Sequence, residues 1–262
     1  MASACFAQRV KTGIEVLKDN GFKLLEGKRV GLVTNPTGVD SHLVSDIDIL
    51  HNAPNVQLVA LYGPEHGVRG SAHAGDAVAG NTDERTHLPV YSLFGKTRVP
   101  TDSMLQGIDV LVYDIQDVGC RSFTYISTLY NIMKAAVKHH IKVVVLDRPN
   151  PLGGEKMEGN LVEDDCVSFV SQFRVPYVYG LTPGEVALLL NGEGMLGGRC
   201  DLTVVKMKGW KRRMTYADTG LPWVLSSPHI PEASTAPFYS ITGIIGELTS
   251  ISIGVGYTLP FK

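Results

Sequence analysis

Cysteine is scarce. The 262 residues hold four, Cys5, Cys120, Cys166 and Cys200, and no two are spaced C-x-x-C. That spacing marks zinc ribbons and thioredoxin-like redox centres, so its absence argues against both. An even count permits disulfides, but the wide scatter favours free buried thiols. An excess of one charge is also missing: 24 Lys plus Arg against 26 Asp plus Glu leaves a net charge of -2. Nucleic acids and anionic membranes select basic surfaces, and neither is expected as a partner. No apolar run approaches the roughly 20 residues of a spanning helix. There is no Walker A sequence, no internal repeat and no low-complexity tract.

The composition that remains is that of a globular chain, with 44% hydrophobic and 19% charged residues. The length suits one large α/β domain, or one domain and a fragment of a second. Ser3-Ala4-Cys5-Phe6-Ala7-Gln8 resembles the small-residue end of a secretory signal peptide, without the charged and apolar regions that precede one. Residues 1–8 therefore read either as a signal remnant or as a plain disordered terminus. The first implies a periplasmic or secreted protein, the second allows a cytoplasmic one.

Strand-length apolar runs alternate with amphipathic stretches. Strands are expected at Arg29–Thr34, Val56–Leu61, Val110–Tyr113, Val143–Leu146 and Leu202–Val205. Helices are expected at Val10–Asn20, Ser41–His51, Thr124–Lys138 and Thr182–Asn191. The last has a strong start signal: Thr182 as cap, Pro183 in the first turn and Glu185 completing a capping box. Residues 68–90 read as one long loop. Continuous apolar strands between helices predict a mostly parallel, Rossmann-like sheet covered on both faces.

Polar residues follow four of these strands directly: Asn35; Glu65 and His66; Asp114, Gln116 and Asp117; Asp147, Arg148 and Asn150. Ligands of open parallel sheets bind outside the carboxyl ends of the strands, so these groups converge if the strands are neighbours. Gly192-Glu193-Gly194-Met195-Leu196-Gly197 matches G-x-G-x-x-G formally, but it follows a helix and opens none, which removes its phosphate-binding logic. No nucleotide cofactor is expected. His66, His73 and Asp76 fit no metal-ligand template, and no metal is expected.

Glu65 is the sharpest catalytic candidate. It lies in Gly63-Pro64-Glu65-His66-Gly67, and a carboxyl group in a partly dry crevice can serve as a general acid. The competing reading is a turn carboxylate bonded to nearby amides. His66 could orient Glu65 or bind substrate. Asp114, Gln116 and Asp117 could bind sugar hydroxyls or supply a second catalytic carboxylate, or cap their own loop. Arg69, Arg121 and Arg148 lie in the same loops and could grip an acidic substrate. Alternatively they form internal ion pairs, such as Arg148 with Asp147 or Asp114. Tyr125 begins a helix beside the crevice, where it could meet ligand or core.

At these motifs the sequence resembles the exo-β-N-acetylmuramidase family of NamZ type, also known as DUF1343. The resemblance rests on Gly31-Leu32-Val33-Thr34-Asn35-Pro36-Thr37-Gly38, Gly63-Pro64-Glu65-His66-Gly67-Val68-Arg69-Gly70 and Asp114-Ile115-Gln116-Asp117-Val118-Gly119. Thr124-Tyr125-Ile126, Leu146-Asp147-Arg148-Pro149-Asn150-Pro151-Leu152-Gly153-Gly154 and Thr219-Gly220-Leu221-Pro222-Trp223-Val224 extend it. It implies a Rossmann-like domain at 9–240, the start of a smaller second domain at 241–262, and a cleft between the two. It also implies release of N-acetylmuramic acid from the non-reducing ends of peptidoglycan fragments. On this reading Glu65 is the acid/base and Asp114 or Asp117 the second carboxylate, unless the substrate's own acetamido group acts. Asn35, His66, Arg69, Gln116, Asp117, Arg121, Tyr125, Asp147, Arg148 and Asn150 are then substrate-binding or supporting.

The sequence departs from the family pattern in places. Tyr179 stands where His is frequent, His229 where Asn follows Ser-Pro, and Val255 where an arginine is common. The family pattern also continues beyond Pro260-Phe261. A muropeptide or cell-wall sugar is the expected partner. A non-catalytic sugar-binding module is the alternative function.

Overall fold

The structure is a computed structural model that describes residues 9–70, 81–227 and 230–246. Seven strands form one sheet: β1 (Arg29–Thr34), β2 (Gln57–Gly63), β3 (Asn81–Thr82), β4 (Pro89–Ser92), β5 (Val110–Asp114), β6 (Lys142–Leu146) and β7 (Leu202–Val205). Their order is β3-β4-β2-β1-β5-β6-β7. Every neighbouring pair is parallel except β3 with β4. Without the short β3, this is the 3-2-1-4-5-6 order of the Rossmann fold.

Helices α1 (Gly13–Asp19) and α2 (Asp46–His51) cover one face of the sheet, and α3 (Tyr125–His139) and α4 (Pro183–Gly192) the other. The strands' near-continuous apolar runs follow from this. Leu111, Tyr113, Val143 and Val145 join the core under α3 and α4. Val110, Val112, Val144 and Leu146 join the core under α1 and α2. Successive side chains face opposite ways, so a strand covered on both sides needs apolar residues throughout.

Local signals set the helix ends. Thr182 accepts from the Glu185 amide while the Glu185 carboxylate accepts from the Thr182 amide, the full capping box. Thr12 and Glu15 do the same for α1. Two expectations need correction. Helix α2 starts only at Asp46, because Asp40 folds the preceding segment into a turn by accepting from the amides of His42 and Val44. The stretch 68–90 is not one loop: the two-residue edge strand β3 and the start of β4 lie within it, and the Pro89 that opens β4 masked the pattern. Helix α5 (Ala236–Gly246), of apolar composition, is the last element among the described residues. Residues 1–8 and 247–262, with Val255, lie outside the described residues, as do His73, Asp76 and His229. Cys120 and Cys200 are free and buried, and Cys166 is free and exposed.

Candidate active site

Strands β2, β1, β5 and β6 are neighbours, so their four polar carboxyl-terminal segments lie along one edge of the sheet. The chain runs outward from β1 to β2 and later returns to β5 on the other side of β1. This reversal leaves a crevice between β1 and β5, the position at which such sheets bind ligands.

The centre of that edge is a cluster of buried charge. The Arg148 guanidinium forks onto Asp114, with Nη2 at 3.0 Å from Oδ2 and Nε on Oδ1, and Nη2 also donates to the Val39 carbonyl at 2.9 Å. Both side chains are buried. Asp46 lies close by, accepting from Thr34 Oγ1 at 2.5 Å and from its neighbour's amide at 2.7 Å. Burial and then the Asp114 charge drive the Asp46 carboxyl well above the usual range. One cation thus serves two carboxylates. The turn that closes over them requires Gly38, since a Cβ there would strike Thr34 Oγ1 and the Asp46 carboxylate.

Asp147, at the end of β6, holds α4 in place. It accepts from Thr182 Oγ1 at 3.0 Å, from the Gly184 amide at 2.8 Å and from the Arg148 amide at 3.1 Å. Burial raises its pKa to about 6 against those donors. Asn150 bridges the next loop, donating to the Leu181 carbonyl and accepting from the Leu152 amide.

Asn35 organises the β1 end, accepting from the amide and hydroxyl of Thr37. Thr37 in turn accepts from the Gln116 amide at 2.8 Å, tying β1 to β5. The Gln116 side chain donates to the carbonyls of Asp117 and Pro149, and its Oε1 is buried without a hydrogen-bond partner. Asp117 accepts at Oδ2 from the Tyr179 hydroxyl and the Gly119 amide, while Oδ1 is also buried and unpartnered. Burial lifts this carboxyl to about 7, opposed by the Tyr179 and Gly119 donors.

Glu65 and His66 are half-buried in the turn after β2. His66 has φ 72, a left-handed conformation that is uncommon outside glycine and recurs at functional sites. Among the described residues, no salt bridge joins Glu65 to a cation. Its electrostatic partner is Tyr125. That phenol is buried and donates to the Ser226 carbonyl. Burial raises its pKa first, a hydrogen bond with Asn35 opposes the rise, and the charges of Glu65 and Asp117 add to it.

The other two arginines have structural partners. Arg69 pairs with Asp83, Nη2 to Oδ2 at 3.0 Å, and with Asp48 at 3.2 Å. Arg121 donates to the carbonyls of Asn160 and Val175 and to Ser171 Oγ. Asp46, Thr37 and Ser226 were missed by the sequence reading. Their telling partners are remote in sequence: Asp114 and Arg148 for Asp46, Gln116 for Thr37 and Tyr125 for Ser226. Tyr179 was visible only as a departure from a family pattern.

Strand order and site together define a class: a Rossmann-like α/β domain whose crevice is lined by strand-end carboxylates, amides and a tyrosine, in place of a glycine-rich phosphate loop. Residues 30–234 match the family model described as "Exo-beta-N-acetylmuramidase NamZ, N-terminal". The chain belongs to this family. It is 51% identical over 254 residues to the peptidoglycan β-N-acetylmuramidase NamZ of Bacillus subtilis (strain 168), covering 97% of this chain and 61% of that relative. A DUF1343 protein of Bacteroides fragilis NCTC 9343, BF0371, has a crystal structure that superposes with a TM-score of 0.92 at 67% identity. A second from the same organism, BF0379, gives 0.83 at 34% identity. The chain covers 64% and 66% of those two structures.

Proposed function

We propose that this chain carries the catalytic centre of an exo-β-N-acetylmuramidase, which releases N-acetylmuramic acid from the non-reducing ends of peptidoglycan fragments. The observation that carries the assignment is Glu65: a half-buried carboxylate at the rim of the switch-point crevice, free of any salt bridge among the described residues, beside the buried Tyr125. The 51% identity to a peptidoglycan β-N-acetylmuramidase supports the substrate class.

Cleavage of the glycosidic bond needs a proton on the departing oxygen and charge compensation at the anomeric carbon. Glu65 gives the proton. Asp114 does not suit the second role, because both its oxygens lie on Arg148 in a fully buried pair. The second role falls to Asp117, whose Oδ1 is unpartnered, or to the acetamido oxygen of the substrate. Asn35 and Tyr125 hold the site edge near Glu65, and Asp147, Arg148 and Asn150 support it from beneath. Peptidoglycan lies outside the cytoplasmic membrane, so we place the reaction in the periplasm or outside the cell.

The test is release of chromophore from a chromogenic β-N-acetylmuramide. Turnover of the muramide, with at least about tenfold slower turnover of the N-acetylglucosaminide lacking the lactyl group, supports the assignment. Saturable sugar binding without any release contradicts it and favours a binding module.

A further inference from the structure

A second concave site lies along α3, beyond the crevice residues. It is a groove of about 410 Å³ lined by Arg98, Tyr130, Asn131, Lys134, the segment Val167–Phe169 and Gln172. That volume lies within the range of small-ligand sites. The Arg98 guanidinium rests 4.1 Å from the Phe169 ring centroid, and the Lys134 ammonium 5.4 Å from that of Tyr130. Such contacts hold a cation in place without neutralising it. Among the described residues neither Arg98 nor Lys134 has a salt bridge, and no acidic residue lines the groove. Two carboxylates of neighbouring segments are engaged elsewhere: Asp102 bonds Lys138 and His139, and Asp164 faces Arg174.

The walls are fixed before any ligand arrives. Ser168 and Ser171 exchange backbone hydrogen bonds at 3.2 and 3.0 Å, closing a tight turn that presents Phe169. Tyr130 stacks on Phe173 with centroids 5.5 Å apart. Asn131 Nδ2 donates to the Arg98 carbonyl at 3.0 Å. Arg121, in the loop after β5, donates to Ser171 Oγ and so ties this turn to the edge of the crevice.

We propose that this groove binds the carboxylate end of a short peptide. The Arg98 fork and the Lys134 ammonium take the carboxylate. The exposed Val167 and the aromatic edges take the apolar side chains next to it. Identifying that peptide as the stem of a muropeptide rests on the muramidase reading above; the carboxylate chemistry does not.

Calorimetric titration of the chain with N-acetyl-D-alanyl-D-alanine, its C-terminal amide and inorganic phosphate tests this. Saturable binding of the dipeptide acid is expected, weakened at least about tenfold (~1.4 kcal/mol) in an Arg98→Ala, Lys134→Ala double variant. Equal or greater weakening is expected with the amide, and none in Glu65→Gln. Turnover of the peptide-free muramide is expected to be unchanged in the double variant. Dipeptide affinity in the double variant within about twofold of wild type, an amide that binds as well as the acid, or phosphate that binds as tightly as the dipeptide would each overturn the proposal. If muramide turnover is absent altogether, the muramidase reading fails while the dipeptide titration still decides the groove.

Discussion

The two halves of the sheet's carboxyl edge differ in what their charges do. Around β1, β5 and β6 the charged side chains are buried and most are fully held: Arg148 by Asp114, Asp46 by Thr34, Asp147 by the start of α4, with Asp117 held at one oxygen only. At the end of β2 the turn is half-buried, His66 is in a left-handed conformation, and Glu65 has no cation bridged to it among the described residues. The same crevice thus has a rigid floor and one reactive rim. An ion pair inside the floor fixes loop positions, whereas a carboxylate that must exchange a proton with substrate cannot be locked to a guanidinium. Strand-end position alone does not distinguish the two; the partners do.

The sharpest way to break this contrast is to remove the floor's cation. Arg148→Met leaves Asp114 and Asp46 buried beside each other, and is expected to lower unfolding stability by about 3–5 kcal/mol in urea melts. A loss under about 1 kcal/mol would mean that the floor is not a scaffold. Next is pH. The Asp117 carboxyl sits at about 7 in the fold against an ordinary 3.8, and Asp147 at about 6. Between those values and the ordinary one, the folded state holds protons that the unfolded state has lost. Their stabilising share is therefore present at low pH and disappears as pH rises through 6 to 7. Stability is expected to fall between about pH 4 and 7, by at most about 1.4 kcal/mol per pH unit for each group, and to level off above that. Asp117→Asn, which keeps an acceptor for Tyr179 and Gly119, is expected to flatten that slope. An unchanged slope would show that Asp117 is ionised throughout.

Smaller effects sharpen the boundary between floor and rim. Tyr125→Phe removes the bond to Ser226 at a stability cost of about 1 kcal/mol, and is expected to slow muramide turnover more than it lowers the melting temperature. Loss of stability with turnover intact would move Tyr125 to the floor. Thr182→Ala removes a helix cap and a donor to Asp147, costing about 0.5–2 kcal/mol while leaving turnover near wild type.

Much of this was legible in the sequence where signals are local. Strands β1 and β7 have the residue bounds expected from their apolar runs, and the capping box placed α4. The convergence of Asn35, Glu65, Asp114 and Asp147 followed from strand endings once β2, β1, β5 and β6 were neighbours. What escaped is what tertiary contact decides. Arg148 could pair with Asp147 or Asp114, and only the fold selects Asp114. Asp46 reads as an ordinary residue in the first turn of a helix, yet it completes a buried charge cluster with groups far along the chain. Strands β3 and β4 are too short, and β4 begins at a proline, so periodicity could not reveal them. The aromatic–cation groove has no spacing signature, since Arg98, Tyr130 and Phe169 come from three separate segments.

The most direct test of the rim's role is turnover of a chromogenic β-N-acetylmuramide by Glu65→Gln, with the melting temperature recorded alongside. The expected result is at least about a hundredfold lower turnover, the usual scale for losing a general acid, at a melting temperature within a degree or two (~0.5 kcal/mol) of wild type. Turnover within about twofold of wild type would contradict the assignment of the reactive carboxylate to Glu65.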